Sequence, residues 1–71
     1  MSDPCEDKQQ AVIDAELNLQ IRLTAHLEAI QTGNPTLIAQ AWTLVEQALA
    51  QLSQATQDYL DCLGVGSGGA D

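Results

Sequence analysis

Apolar and polar positions in the second half of the chain alternate with the period of an α-helix. The apolar positions recur at alternating spacings of three and four, which makes an unbroken seven-residue repeat: Ile38, Ala41, Val45, Ala48, Leu52, Ala55, Tyr59 and Cys62. Large and small side chains alternate along this row of eight residues, here called the seam, so a partner helix can approach closely. Five further apolar residues flank the seam: Leu37, Trp42, Leu44, Leu49 and Leu63. A stripe this wide is more than one neighbouring helix can cover.

The first half of the chain predicts one long helix, from about residue 5 to residue 32, because no glycine or proline interrupts this stretch. Ser2 or Asp3 is its expected N-cap. Its apolar stripe includes His26 and is less regular than that of the second helix: Val12, Ala15, Leu19, Leu23, Leu27 and Ile30. A second line of apolar residues lies about 140° around the same helix from this stripe: Ile13, Leu17 and Ile21. Two apolar faces require two partners.

Turn-forming residues separate the two helices. Gly33 can adopt the left-handed conformation that ends a helix. Asn34 and Pro35 then predict the N-cap and the first residue of a second helix, because asparagine accepts bonds from free amides and proline lacks a donor. The second helix is expected over about residues 35–63, where a glycine-rich stretch stops it.

The expected architecture follows from these elements and from the length of the chain. A short loop places the two helices antiparallel, and a chain of 71 residues buries too little surface to be very stable alone. We therefore expect an all-α protein, an antiparallel two-helix hairpin over residues 1–63 with its turn at 33–34, which dimerises into a four-helix bundle. Residues 64–71, rich in glycine and serine, predict a flexible tail.

Composition and charge exclude several classes of function. The ten acidic residues outnumber Lys8 and Arg22 and give a net charge of −8, which repels nucleic-acid phosphates and anionic membrane surfaces. No apolar run reaches the roughly 20 residues of a membrane span, and the acidic N-terminus is unlike a signal peptide. We therefore expect a cytoplasmic protein that binds neither nucleic acid nor membranes directly.

The two cysteines are expected to lie side by side at the open end of the hairpin. Paired residue numbers in a hairpin that turns between Gly33 and Asn34 add to about 67, and Cys5 and Cys62 meet this condition. A disulfide between them would contribute about 4 kcal/mol in the chain-entropy model. A reducing cytoplasm instead favours two free thiols, and this is the expectation. A reversible redox bond that switches the hairpin is the alternative.

Candidate catalytic or metal-binding groups are lacking. His26 is the only histidine, and no metal-ligand spacing surrounds it, so it is interpreted as a core or interfacial residue. If it met its own symmetry mate in the dimer, the association would depend on pH, because two imidazolium ions repel each other. No phosphate-binding loop opens a helix, and the carboxylates are too widely spaced to form a cluster. The sequence thus predicts no enzyme, no cofactor and no metal.

The predicted function is that of a small non-enzymatic interaction module: a homodimeric adaptor, inhibitor or regulator that binds another protein. The expected dimer or partner interface comprises Ile13, Leu17, Ile21, His26, Trp42 and Leu49. Trp42 lies beside the seam, and a single tryptophan in such a position more often fills space in the core than anchors an interaction with a partner. A different protein, rather than a second copy, is the rival occupant of the second apolar line of the first helix.

A role related to nucleic acid is the alternative function. A dimer of helical hairpins resembles in outline the small RNA-binding regulators of the Rop family. The resemblance implies RNA binding, but the two basic residues of this chain cannot contact several phosphates. An acidic bundle that mimics nucleic acid would require carboxylates at regular spacing along one face, and the carboxylates of this chain are too sparse for that.

Overall fold

The computed structural model of the protein describes residues 4–64. Helix α1 spans Glu6–Thr32 and helix α2 spans Pro35–Leu63, and the two pack against each other over their lengths. The described part contains no strand. The predicted all-α fold and helical hairpin are therefore confirmed. The expected flexible tail, apart from its first residue, lies outside the described residues. The expected N-cap at Ser2 or Asp3 is wrong, because α1 begins at Glu6 and Cys5 occupies its N-cap position.

The turn has the geometry that its residues predict. Gly33 ends α1 with a φ of 71°, in the left-handed region, and its amide donates to the carbonyl of Ile30. The Asn34 side chain caps α2 by accepting from the backbone amides of Thr36, at 2.9 Å, and Leu37, at 3.3 Å. Proline occupies the first turn of α2, where no amide donor is needed. These contacts fix where the chain reverses.

We predict that Asn34→Ala lowers the free energy of unfolding by about 1 kcal/mol, because two amides of α2 lose their acceptor. Asn34→Asp keeps an acceptor oxygen at the same place and is the matched control, expected to retain the parent stability. Urea unfolding followed by helical circular dichroism measures both variants. A loss as large in the aspartate variant as in the alanine variant would contradict the capping role.

The outer ends of the two helices are defined less strongly than the turn. Cys5 occupies the N-cap position of α1 and makes no capping bond with its side chain, and the acidic residues Glu6 and Asp7 favour the first turn through the helix dipole. At the other end, Gly64 closes α2 with a φ of 87° and donates to the carbonyls of Leu60 and Asp61. The open end of the hairpin is therefore held mainly by contacts between the helices.

Three contacts between the helices set a constant antiparallel register. Cys5 is joined to Cys62 in a disulfide, Asn18 donates to Gln51, and the ring of His26 contacts that of Trp42. The paired residue numbers add to 67, 69 and 68 respectively, so the predicted register is maintained from the open end towards the turn.

The core between the helices is narrow. Val45 and Ala48 of the α2 seam are 1% exposed, and Ala29 of α1 is 8% exposed. Most other members of the α2 seam are half-buried: Ile38, Ala41, Leu52, Ala55 and Tyr59. The molecule measures 11 Å along its shortest axis, which is the thickness of a single layer of helices. Helical domains usually bury their apolar surface between two layers, and this hairpin supplies only one.

Candidate interaction surfaces

One polar contact and one aromatic contact between the helices lie on opposite sides of the helical layer. On one side the amide of Asn18 donates to Gln51 at 3.3 Å. On the other side the rings of His26 and Trp42 lie 5.2 Å apart and are tilted by 50°. Trp42 and Gln51 are nine residues apart, which at about 100° per residue places them on opposite sides of α2. The two sides of the layer can therefore be compared separately.

The side that carries His26 and Trp42 is a broad apolar surface, here called the flat face. Leu23, Ile30 and Leu27 lie about 40–100° around α1 from His26, turned away from Asn18, and Leu49 lies about 20° from Trp42 on α2. The large apolar side chains of the flat face are 44–55% exposed: Leu23, Leu27, Ile30, Trp42 and Leu49. Apolar side chains of both helices thus form one surface, with the His26–Trp42 contact inside it.

A second apolar surface, here called the outer ridge, lies on α1 away from α2 and consists of Ile13, Leu17 and Ile21. These residues lie about 120–160° around the helix from the half-buried Ala15. Their exposed fractions are 43%, 53% and 63%. An open groove adjoins the ridge and is lined by Leu17, Gln20, Ile21, Thr24, Ala25 and Glu28. No side chain of α2 lines this groove.

The structure divides the expected interface between these two surfaces. Ile13, Leu17 and Ile21 form the outer ridge, whereas His26, Trp42 and Leu49 belong to the flat face. Because the two surfaces point in different directions, one partner helix cannot cover both. The expected interface is therefore two separate candidate sites.

Three residues of the flat face belong to the main apolar stripe that the sequence predicts for the first helix, and they are absent from the expected interface. Leu23, Leu27 and Ile30 are 45–55% exposed, so α2 does not cover this part of the stripe. Each step of four residues from Leu19 to Leu27 rotates about 40° around the helix and carries the stripe away from α2. Alternating steps of three and four keep the contact side in place, through the half-buried or buried residues Val12, Ala15, Leu19, Arg22, His26 and Ala29. That spacing was the signal available in the sequence.

Trp42 is not core filler. Its side chain is 44% exposed, and its ring contacts the half-buried His26 instead of filling the space between the helices. An exposed tryptophan beside exposed leucines is typical of interaction anchors. A meeting of His26 with its symmetry mate, and the pH dependence expected from it, stay predictions.

The disulfide between Cys5 and Cys62 closes the open end of the hairpin. Their Cα atoms lie 5.7 Å apart, within the range that a disulfide spans. The pairing that the sequence predicts is present, whereas the expected state of two reduced thiols is not the state that the structure holds. Cys5 is buried and Cys62 is exposed, so the bond lies at the edge of the hairpin.

Residues 4–64 contain no group of three histidine, cysteine or carboxylate side chains placed to hold a metal ion. The hydrogen bonds of the carboxylates that are present are made with glutamine side chains one turn earlier on the same helix. They join Gln10 to Asp14, Gln54 to Asp58 and Gln57 to Asp61. Such pairs stabilise the surface of a helix and define no reaction centre.

Fold and surfaces together define an all-α hairpin with two exposed apolar surfaces. Comparison with protein-family models, with curated proteins and with solved structures gives no match to this chain. Neither of the helices described here combines the length and the apolar character required to cross a bilayer.

Proposed function

We propose that this protein is a small, non-enzymatic protein–protein interaction module that acts as a homodimer through its flat face. The observation that carries the proposal is the exposure of Leu23, Leu27, Ile30, Trp42 and Leu49 on one side of a single helical layer. An exposed apolar surface that extends over two helices is typical of an association site. A second layer of helices would bury it and complete a four-helix bundle.

The side of the hairpin that carries the flat face is about as large as a specific interface. Helices of 27 and 29 residues are about 40 Å long, and two side by side are about 20 Å wide, which gives a face of roughly 800 Å². Stable complexes bury about 800 Å² on each partner. One hairpin laid on another therefore supplies the area that a stable dimer requires.

The charge distribution supports a second copy as the occupant. The sector of α2 that lies on the flat face has no charged residue. Its half-buried and exposed residues are five apolar residues and one threonine: Ile38, Trp42, Leu49, Thr56, Leu60 and Leu63. On α1 the single carboxylate in the facing sector is Glu16. Most of the net charge of −8 therefore lies away from the face, so two copies can meet with little repulsion.

The first experiment is to measure the solution mass by light scattering over a series of protein concentrations. Trp42 is the only tryptophan, so its fluorescence reports on the flat face in the same samples. We expect a dimeric mass that falls to the monomer on dilution, with a shift of the Trp42 emission to longer wavelength over the same range. A monomeric mass at every concentration contradicts the homodimer.

A redox-switched hairpin is the second candidate function, and the Cys5–Cys62 disulfide favours it. In the cytoplasm, where the sequence predicts this protein to act, thiols are generally reduced. Formation of the bond would then depend on oxidising conditions, and it would fix the open end of the hairpin. Dimerisation through the flat face would respond, because both helices contribute to that face.

A further inference from the structure

We infer that the outer ridge is a docking site for a basic amphipathic helix of another protein. The inference extends the proposed function by naming a partner class. It does not depend on the homodimer, because Leu17 and Ile21 of the ridge lie about 80° and 120° around α1 from Leu27, the nearest residue of the flat face. Ile21 is 63% exposed, the largest fraction among the large apolar side chains of the described residues. A second copy on the flat face would leave this surface open.

The shape of the ridge suits a helix that crosses α1. Ile13, Leu17, Ile21 and Ala25 follow one another at intervals of four residues and form a continuous row. Such rows pack into the grooves of a second helix at a crossing angle of about 50°. A shallow, open groove lies beside Leu17 and Ile21 along this row. A small residue at Ala25 allows the two backbones to approach at that end.

The charge around the ridge selects a basic partner. At about 100° per residue, the sector of α1 from Ile13 to Ala25 includes four charged residues, and all of them are acidic: Glu6, Asp7, Asp14 and Glu28. Lys8 and Arg22 lie on the half of α1 that faces α2. Glu28 also lines the groove itself. Lysine or arginine residues that border an apolar stripe would therefore complement both the groove and its acidic border.

The test uses the oxidised chain of 71 residues and two synthetic peptides of leucine and lysine, each of about 18 residues, long enough to form a helix. One peptide has its leucines on one helical face. The other has the same composition in a scrambled order. We expect the amphipathic peptide to bind at least about tenfold more tightly than the scrambled one. Equal binding of both peptides overturns the inference, because charge alone would then explain the attraction.

Variants locate the site on the ridge. Leu17→Gln with Ile21→Gln removes two exposed apolar side chains without touching the core, and is expected to weaken binding of the amphipathic peptide at least about tenfold. Leu37→Gln with Leu44→Gln is the matched control, because both leucines are exposed and lie on the side of Gln51. Unchanged binding in the ridge variant, or an equal loss in the control, overturns the inference.

A second pair of variants tests the acidic border. Asp14→Asn with Glu28→Gln is expected to weaken binding more than Glu46→Gln with Asp61→Asn, which removes the same charge from the far side of α2. Equal losses overturn the basic-partner assignment. The mass of the Leu17→Gln, Ile21→Gln variant separates this inference from the homodimer. If that variant becomes a monomer while the parent is a dimer, the ridge binds a second copy and the inference fails.

Discussion

Loss of the Cys5–Cys62 disulfide is expected to lower the free energy of unfolding by about 4 kcal/mol in the chain-entropy model. The bond joins residues 57 positions apart and therefore restricts most of the unfolded chain. The folded chain has little to compensate the loss, because only Cys5, Ala29, Val45 and Ala48 are buried hydrophobic residues among those described. The measurement is urea unfolding of the parent and of Cys5→Ser with Cys62→Ser, at one fixed protein concentration.

Reductant provides the control for the disulfide. Dithiothreitol should destabilise the parent to the level of the double serine variant and leave the variant itself unchanged. A parent whose unfolding midpoint is unaffected by reductant would show that the bond contributes nothing to stability. If the reduced protein also loses its dimeric mass, the redox-switched hairpin becomes the better description of the function.

The sequence predicted the hairpin correctly because local signals fix its turn and its register. Gly33 permits the left-handed conformation that ends α1 and Asn34 caps the start of α2, and the reversal between them then determines which residues of the two helices are opposite each other. The pairing of Cys5 with Cys62 follows from that register alone. The redox state of the two cysteines does not follow from the register, because it depends on the cellular compartment and not on the fold.

The sequence was less informative about which residues face α2. Val45 and Ala48 lie on an unbroken seven-residue repeat, so their burial could be predicted. Helix α1 has apolar residues around more than half of its circumference, and several stripes fit such a pattern equally well. The stripe with alternating steps of three and four leaves Leu23 and Leu27 exposed, but the sequence does not distinguish it from the other stripes. Sequence pattern alone therefore predicted the three residues of the outer ridge, but neither the division of the expected interface into two surfaces nor the leucines of the flat face.

The flat face provides the largest expected effect on assembly. Leu23→Gln with Leu27→Gln is expected to raise the dimer dissociation constant at least about hundredfold, because a twofold interface loses four leucine side chains, each worth on the order of 1 kcal/mol. Both leucines are about half exposed in the hairpin, so the monomer should keep its helices. Light scattering over a concentration series gives the dissociation constant, and circular dichroism verifies the fold.

The matched control for assembly is Leu17→Gln with Ile21→Gln, which makes equally polar changes on the outer ridge. We expect this control to remain a dimer and to lose peptide binding. The flat-face variant should instead become a monomer and keep peptide binding. The reverse pattern would assign self-association to the ridge and refute the flat-face dimer. Because each variant serves as the control for the other, a general loss of stability cannot produce the expected pattern.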